Sequence, residues 1–467
     1  MKKHYRRSAI KSLKLLCCAM ILPTIANAQS LEQAVAFTFD THPDLRAAYT
    51  RFKVSEKQIE QAASGYLPTI DITAGIGYEY TDSPGTRRQG VGDEDDTAEL
   101  TRREVGLSLK QELFSGFHTR SEVDRTSYTT KAEQWRLLGI AEDLALEVSK
   151  VYIDLIKTKE LVSLAERNLS AHQEIYEQIK QRTDSGFGSA ADLSQINGRL
   201  AKAHSNLIAT NNNYLDSNVT FYRVIEQRPN NLVIPYPDAY LLPQTEAEGL
   251  ELTLKNHPVI KSAFNDIEAA NAQHKSAKSN YYPKVTFDVK ANLNNNLDGE
   301  NGASRVDALN GVGGENNDVT AMLRVSYNIF SGGKDDAYAK ETAYKISEAK
   351  ELNSSVHRQV TEGFILSWNA FEQLNLQKKY IKTHVIYSKN SLSDYKEQFK
   401  VGQRSLLDLL DTENELYQAR RDFLDAEFNE ISAQYRILHA MGLLVESLRV
   451  TRPSTWLGEE SFAESEK

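Results

Sequence analysis

Two long stripes of apolar residues, 216 positions apart, most constrain what this chain can fold into. In the first stripe the residues follow one another at steps of four and three without a break, and only a threonine and a histidine are polar. The stripe consists of Leu144, Val148, Val151, Leu155, Thr158, Val162, Ala165, Leu169, His172, Tyr176 and Ile179. This heptad spacing predicts a long helix that packs against a partner helix in a left-handed supercoil.

The second stripe repeats the first in the same register. Its members are Val360, Phe364, Ser367, Phe371, Leu374, Lys378, Ile381, Val385, Ser388, Leu392 and Tyr395. A period of this length is too long for a small solenoid repeat. We therefore interpret the chain as a duplicated domain whose two copies stand side by side.

Each stripe is preceded by two segments in which apolar and polar residues alternate. These segments are residues 69–80, 104–113, 284–293 and 319–330. Alternation over this length suits a tilted strand that crosses a membrane with one apolar face. The sequence predicts one β-hairpin in each half, with a long polar loop between its strands.

The remaining signals give the same order of elements twice. A helical segment interrupted by His-Pro comes first, then the hairpin, then Phe-Ser-Gly, then a long proline-free helix, a glycine turn and a returning helix. His42 is expected to be a loop or cap residue, because proline suits the first turn of the next helix. The predicted divisions are a first repeat at 29–227, a proline-rich connector at 228–249, a second repeat at 250–446 and a polar tail at 447–467.

The first 28 residues carry six basic residues, a short apolar run and an A-x-A pattern at residues 26–28. This combination predicts a secretory signal peptide. Its removal subtracts six positive charges from the net charge of −9 and leaves about −15, with both cysteines removed as well. An exported chain without disulfide bonds is expected to be stabilised by packing and assembly.

The composition also narrows the function. An acidic chain gives no reason to expect nucleic acid as a partner. No zinc motif, phosphate-binding loop or cysteine nucleophile occurs in the sequence, so we expect neither an enzyme nor a cofactor. After the signal peptide, no apolar run is long enough for a membrane-spanning helix.

Four strands cannot close a barrel, and lipid does not tolerate an open sheet edge. Three chains would supply twelve strands, which is an even number large enough for a water-filled barrel. The predicted fold class is therefore mainly α with a membrane β-barrel part. It is a duplicated helix–β-hairpin–long helix–helix plan whose trimer forms a 12-stranded β-barrel on an α-helical barrel.

The signal peptide, the duplicated plan, the repeated Phe-Ser-Gly and the pattern V-G-x-R-S-x-x-D-x-x-D at residues 401–411 resemble the TolC family. The resemblance covers nearly all of the mature chain. It implies a homotrimeric channel-tunnel in the outer membrane of a Gram-negative bacterium, which extends into the periplasm. The implied partners are outer-membrane lipid, a periplasmic membrane fusion (adaptor) protein and an inner-membrane ABC or proton-driven pump.

The resemblance also assigns a periplasmic gate. Asp408 and Asp411 match the family's acidic constriction, where carboxylates from three chains would attract cations and bind multivalent ones as a block. Arg404 and Asp192 match positions that link neighbouring helices and hold the tip shut. Phe399 replaces a tyrosine of this latch and lacks its hydroxyl donor. The alternative reading of the acids is solvated residues favoured by the helix dipole.

The two helix-hairpin turns are the implied docking sites for the adaptor protein. Gly186 and Phe187 belong to the first turn, and Val401, Gly402 and Gln403 to the second. The glycines are also expected as helix caps, which require a left-handed backbone.

Two other functions remain open at this stage. A trimeric adhesin of the autotransporter type also assembles four strands per chain, but it would have contiguous strands at its C-terminus. A periplasmic coiled-coil scaffold would have no membrane part. For the channel, the long acidic loops favour type I protein secretion, with multidrug efflux as the alternative cargo class.

Overall fold

The computed structural model describes residues 29–82, 97–297 and 314–457, so the predicted signal peptide lies outside the described residues. The first half contains α1 (Leu31–Thr41), α2 (Pro43–Ala63), β1 (Thr69–Asp82), β2 (Thr97–Phe114), α3 (His118–Asp184) and α4 (Ala190–Ile225). The second half contains α5 (Glu246–Asn256), α6 (Pro258–Lys278), β3 (Lys284–Leu297), β4 (Gly314–Ser326), α7 (Lys334–Lys400) and α8 (Leu406–Ala440). One helical turn, α9 (Leu444–Ser447), follows.

The duplicated order of elements agrees with the sequence prediction. Helices α3 and α7 have 67 residues each, which corresponds to roughly 100 Å at about 1.5 Å per residue. In each half a histidine–proline pair starts the second helix. The ring nitrogen Nδ1 of His42 accepts a hydrogen bond from the Asp44 N–H, and that of His257 accepts one from the Val259 N–H, both at 3.3 Å. The expected cap role of His42 is therefore confirmed.

All four strands form one antiparallel sheet in the order β1-β2-β3-β4. The hairpins of the two halves meet through β2 and β3, so a single sheet joins the repeats. One row across the sheet pairs Ile70 with Leu109, Leu109 with Val289, and Val289 with Ala321. This row places the apolar alternate positions of all four strands on one face, while β1 and β4 remain edge strands.

The strand ends differ from the sequence prediction. Strands β1 and β2 pair as far as Asp82 and Thr97, beyond the predicted ends at residues 80 and 104. Strand β4 ends at Ser326 rather than near residue 330. Ser326 pairs with Lys284, the first residue of β3. Pro283, which precedes Lys284, has no N–H with which to continue the hydrogen-bond ladder.

Helix α3 lies at the centre of the helical bundle and packs against α2, α4, α6 and α8. Both predicted heptad stripes are buried or half-buried, which confirms their inward orientation. Helix α7 lies at an edge and has few buried residues, among them Phe364 and Leu392. Within the described part of the chain, no helix has both the length and the apolar character needed to cross a bilayer.

The end of the chain differs from the expected polar tail. Leu448 and Trp456 are buried in the main core, and the Trp456 ring packs against Phe39 with 5.8 Å between the ring centroids. The side-chain amide of Gln134 donates to the Trp456 carbonyl oxygen at 2.9 Å. Two separated apolar residues anchor this segment, which is too sparse a pattern to reveal a core contact in the sequence. Residues from 458 onward lie outside the described residues.

Candidate functional site at the helical tip

The two helix-hairpin turns come together because the ends of four helices share a small apolar core. Ile175 and Ile179 of α3 and Ile196 of α4 pack in one cluster with residues of the second hairpin. Those residues are Leu392, Phe399, Leu406, Leu409, Leu410 and Leu416. The cluster, which we call the tip core, fixes the predicted gate, latch and docking residues around one end of the bundle.

The turns contain glycine for a reason visible in the backbone. Gly186 has φ +79° and Gly402 has φ +78°, and both lie in the left-handed region that side chains with a Cβ rarely adopt. Both predicted cap roles are therefore confirmed. Next to them Phe187 is 90% exposed and Val401 is 70% exposed. Each turn therefore exposes one large apolar side chain to solvent, and Gln403 is exposed beside Val401.

Asp408 occupies the N3 position of α8 in a capping box. The Asp408 N–H donates to the Ser405 hydroxyl oxygen at 3.2 Å, and that hydroxyl donates to the Asp408 carboxylate at 2.9 Å. Hydrogen bonds from the side chain and the backbone N–H of Ser405 lower the pKa of Asp408, with a smaller contribution from Arg404. Asp408 therefore completes the capping box that begins at Ser405, and it also remains charged in mildly acidic solution.

Asp411 lies one helical turn further along and has a different environment. Its carboxylate oxygen Oδ1 is 2.6 Å from the guanidinium Nη2 of Arg199 on α4. The Arg199 and Asp411 side chains are 27% and 56% exposed. The two predicted gate acids thus share a face of α8, but Asp408 is held within its own helix end and Asp411 is paired across to the first repeat.

The predicted latch residues are not brought together within a single chain. The Arg404 guanidinium lies 4.2 Å from the centroid of the Tyr395 ring, and its Nε donates to the Gln398 side-chain oxygen at 2.9 Å. Asp192 lies in the first turn of α4, where Ser189 provides the cap by accepting a hydrogen bond from the Ala191 N–H. An Arg404–Asp192 link would therefore have to join neighbouring chains.

Phe399 is almost fully buried in the tip core, and the Arg182 guanidinium of α3 lies 5.2 Å from the centroid of its ring. A cation over an aromatic face at this distance is an attractive contact. It joins the two hairpins at the position where the sequence lacks the tyrosine hydroxyl.

Sequence reasoning missed three further contacts near the tip. They are Arg199 with Asp411, Lys396 with Glu413 at 3.2 Å, and His384 with Glu415 at 3.2 Å. The sequence contained no signal for which basic residue would face each of these acids. In the described ranges of one chain, no group of three or more His, Cys, Asp or Glu side chains could hold a metal ion.

Comparison with known proteins finds relatives that match both repeats and most of the chain. The family model of outer membrane efflux proteins matches residues 39–225 and 249–443, once in each repeat. The outer membrane efflux protein BepC of Brucella suis biovar 1 is 23% identical over 98% of this chain and 96% of its own length. The outer membrane protein TolC of Escherichia coli strain K12 is 23% identical over 91% of this chain and 84% of its own length.

The fold also matches solved channels. The Campylobacter jejuni CmeC outer membrane channel superposes with a TM-score of 0.73 at 15% identity, covering 89% of this chain and 86% of that one. The expected fold class, mainly helical with a β part of the outer-membrane channel type, is confirmed. With a family match in both repeats and hairpins about 200 residues apart, the adhesin and scaffold alternatives have no support. The chain belongs to the outer membrane efflux protein family and is an outer-membrane channel of a tripartite export system, not an enzyme.

Proposed function

We propose that three copies of this chain form one export duct, with a 12-stranded β-barrel in the outer membrane lipid above an α-helical barrel in the periplasm. The observation that carries the proposal is the four-stranded sheet with one apolar face and two free edges. Lipid offers no hydrogen-bond partners to a free edge. Pairing β1 of one copy with β4 of the next would satisfy both edges and close the barrel.

The helices support the same assembly. The outer sides of α4 and α7 carry exposed apolar side chains at near-heptad intervals. On α4 these are Ile208, Leu215, Val219 and Tyr222, and on α7 they are Leu366, Leu376, Tyr380 and Tyr387. Exposed stripes on two edges of one bundle are typical of surfaces that pack against further helices.

At the periplasmic end, we propose that Asp408 and Asp411 form the gate and that Arg404, Asp192 and Phe399 belong to its latch. Three copies would bring their carboxylates to one narrow opening, and a ring of carboxylates attracts cations. Multivalent cations should bind there and obstruct the pore. The exposed turn residues, Phe187 and Val401 with Gly186, Gly402 and Gln403, form the proposed docking surface for the adaptor protein. That protein would connect the duct to an inner-membrane ABC or proton-driven pump.

For the cargo we propose protein substrates of type I secretion, because of the long acidic loops predicted between the strands. Small-molecule efflux is the second candidate, and the relatives favour it: the Pseudomonas putida protein TtgF, 23% identical to this chain, is named as part of a toluene efflux pump. Deleting the gene distinguishes the two. Loss of a secreted protein supports the first, and raised susceptibility to solvents and antibiotics with normal secretion supports the second.

The gate is tested by conductance. We expect the purified protein in detergent to have the mass of a trimer and to form cation-selective pores in planar bilayers. Replacing both Asp408 and Asp411 by alanine should weaken block by multivalent cations, because the ring loses its carboxylates. A stable monomer would contradict the duct, and unchanged block in the double variant would contradict the gate.

A further inference from the structure

Asp411 is one of the two acids of the proposed gate, and its charge is already paired. The Arg199 guanidinium donates to its carboxylate at 2.6 Å, with Arg199 on α4 of the first repeat and Asp411 on α8 of the second. A charge-assisted hydrogen bond of this length is among the stronger polar contacts that proteins make. Seen from the opening, this pair carries no net charge.

Two further acids of α8 also have partners within the chain. Glu413 is buried and lies 3.2 Å from the Lys396 Nζ atom, and Glu415, one turn beyond Asp411, lies 3.2 Å from the His384 Nε2 atom. Asp408 differs from Asp411 because its carboxylate is held by Ser405, which is neutral, and the charge of Arg404 has only a smaller effect on it. Asp408 is therefore the less compensated of the two gate acids at the start of α8.

We propose that Arg199 is a selectivity-determining residue, because it neutralises Asp411 and leaves a single ring of three Asp408 carboxylates at the opening instead of two rings with six. This inference rests on the proposed gate. It assigns to a residue of the first repeat the control of how strongly the tip binds cations.

The test is a charge cycle on the intact trimer, measured as the concentration of La³⁺ that halves single-channel conductance in a planar bilayer. Arg199→Gln exposes three more carboxylates and should tighten the block by about tenfold or more, while Asp411→Asn leaves three unpaired guanidinium groups and should weaken it by about tenfold. The double variant Arg199→Gln with Asp411→Asn removes an ion pair of zero net charge. Its block should return to within about twofold of the wild type.

Two controls separate charge from structure. Arg199→Lys keeps the charge and should leave the block close to the wild-type value. Arg223→Gln removes another α4 ion pair, in which Arg223 lies 3.2 Å from Glu147 of α3. It is 24 residues, or roughly 36 Å, from Arg199 along the helix and should have no effect on the block.

The outcomes separate this inference from the gate itself. If Asp411→Asn or Asp408→Asn weakens the block but Arg199→Gln leaves it unchanged, Arg199 does not compensate Asp411 in the assembled channel and the inference is overturned alone. If no substitution at either aspartate changes the block, the gate assignment fails, and the inference fails with it. A double variant that behaves like Asp411→Asn also overturns the inference, because it removes the coupling between the two charges.

Discussion

Replacing Glu142 by glutamine is expected to change how the stability of this channel depends on pH. Glu142 lies on α3 and is buried, and its carboxylate accepts hydrogen bonds from the Leu444 N–H at 2.9 Å and the Val445 N–H at 3.3 Å. Burial raises the pKa of this carboxyl to about 7, against the smaller opposing effects of His439, the two N–H groups and Arg452. The carboxyl thus holds the start of α9 against the bundle and keeps its proton to near-neutral pH.

A second, partly buried group nearby has the opposite effect. Burial and the nearby His439 lower the pKa of His257 to about 4, and Asp143 opposes the change. His439 and Asp143 are themselves paired, with 2.7 Å between Nε2 and Oδ1. His257 and Glu142 therefore titrate in a shared environment at the junction of α3, α6 and α8.

The signs of the two contributions follow from linkage. Between about pH 4.5 and 7 the folded state keeps the Glu142 proton that the unfolded chain releases, so this contribution to stability falls as pH rises. Between about pH 4 and 6.5 the unfolded chain binds a proton on His257 that the folded state excludes, so this contribution rises with pH. For each group, the difference between its folded and unfolded pKa corresponds to about 3 kcal/mol of unfolding free energy. In the wild type the contributions of Glu142 and His257 should nearly cancel.

Each single variant should reveal how the remaining group makes the free energy of unfolding depend on pH. For Glu142→Gln, the free energy of unfolding should rise by about 3 kcal/mol more from pH 4.5 to 7 than in the wild type, because the contribution of Glu142 no longer opposes that of His257. For His257→Asn, which keeps a side chain able to cap α6, it should fall by a similar amount. Thermal unfolding of the protein in detergent, followed by tryptophan fluorescence across this range, should show opposite changes of a few degrees. A flat profile in Glu142→Gln would refute the reasoning.

Two further predictions follow from single contacts. Replacing Arg404 by serine removes the side chain that stacks on Tyr395 at the tip. This change should raise leakage of large antibiotics through the channel, measured as increased susceptibility. Unaltered susceptibility, equal to that of an Arg223→Ser control, would argue against the latch. Replacing Gly249 by alanine would drive a methyl group into the Phe364 ring, so it should cost about 1–3 kcal/mol of stability by thermal unfolding. Adding Phe364→Leu should recover part of that loss, and no recovery would contradict the clash as its cause.

The heptad stripes predicted the packing of the long helices because a helix that must bury one face shows it at every turn. His172 and Thr158 were the polar members of the first stripe, and both are buried with their side chains bonded to main-chain carbonyl oxygens of their own helix. The strand ends were less predictable, since a strand ends where its neighbour stops pairing and not where its own alternation stops. The burial of Trp456 could not be predicted, because it depends on a surface built from distant residues.

At the helical tip, too, contacts between residues far apart in the chain could not be predicted from the sequence. Asp408 and Asp411 were predicted as gate residues from the family resemblance, and the turn glycines were identified by the conformation they must adopt. The partner of Asp411 is 212 positions away on a helix of the other repeat. No local pattern connects two charges at that separation. The Arg182–Phe399 contact was not predicted either, because it also joins residues that are far apart in the sequence.

The two repeats have matching sequence stripes, but their long helices are buried to very different extents. Helix α3 has many buried residues and packs against four other helices, whereas α7 has few and leaves Leu366, Tyr380 and Tyr387 exposed. A helix with apolar residues on two sides needs partners on both, and these α7 side chains have none in the described part of one chain. The exposed apolar stripe on α4 likewise requires a further helix to pack against. Because the duplication gave both repeats the same inward stripe, the unequal burial identifies the surfaces where the duct proposal requires a neighbouring copy.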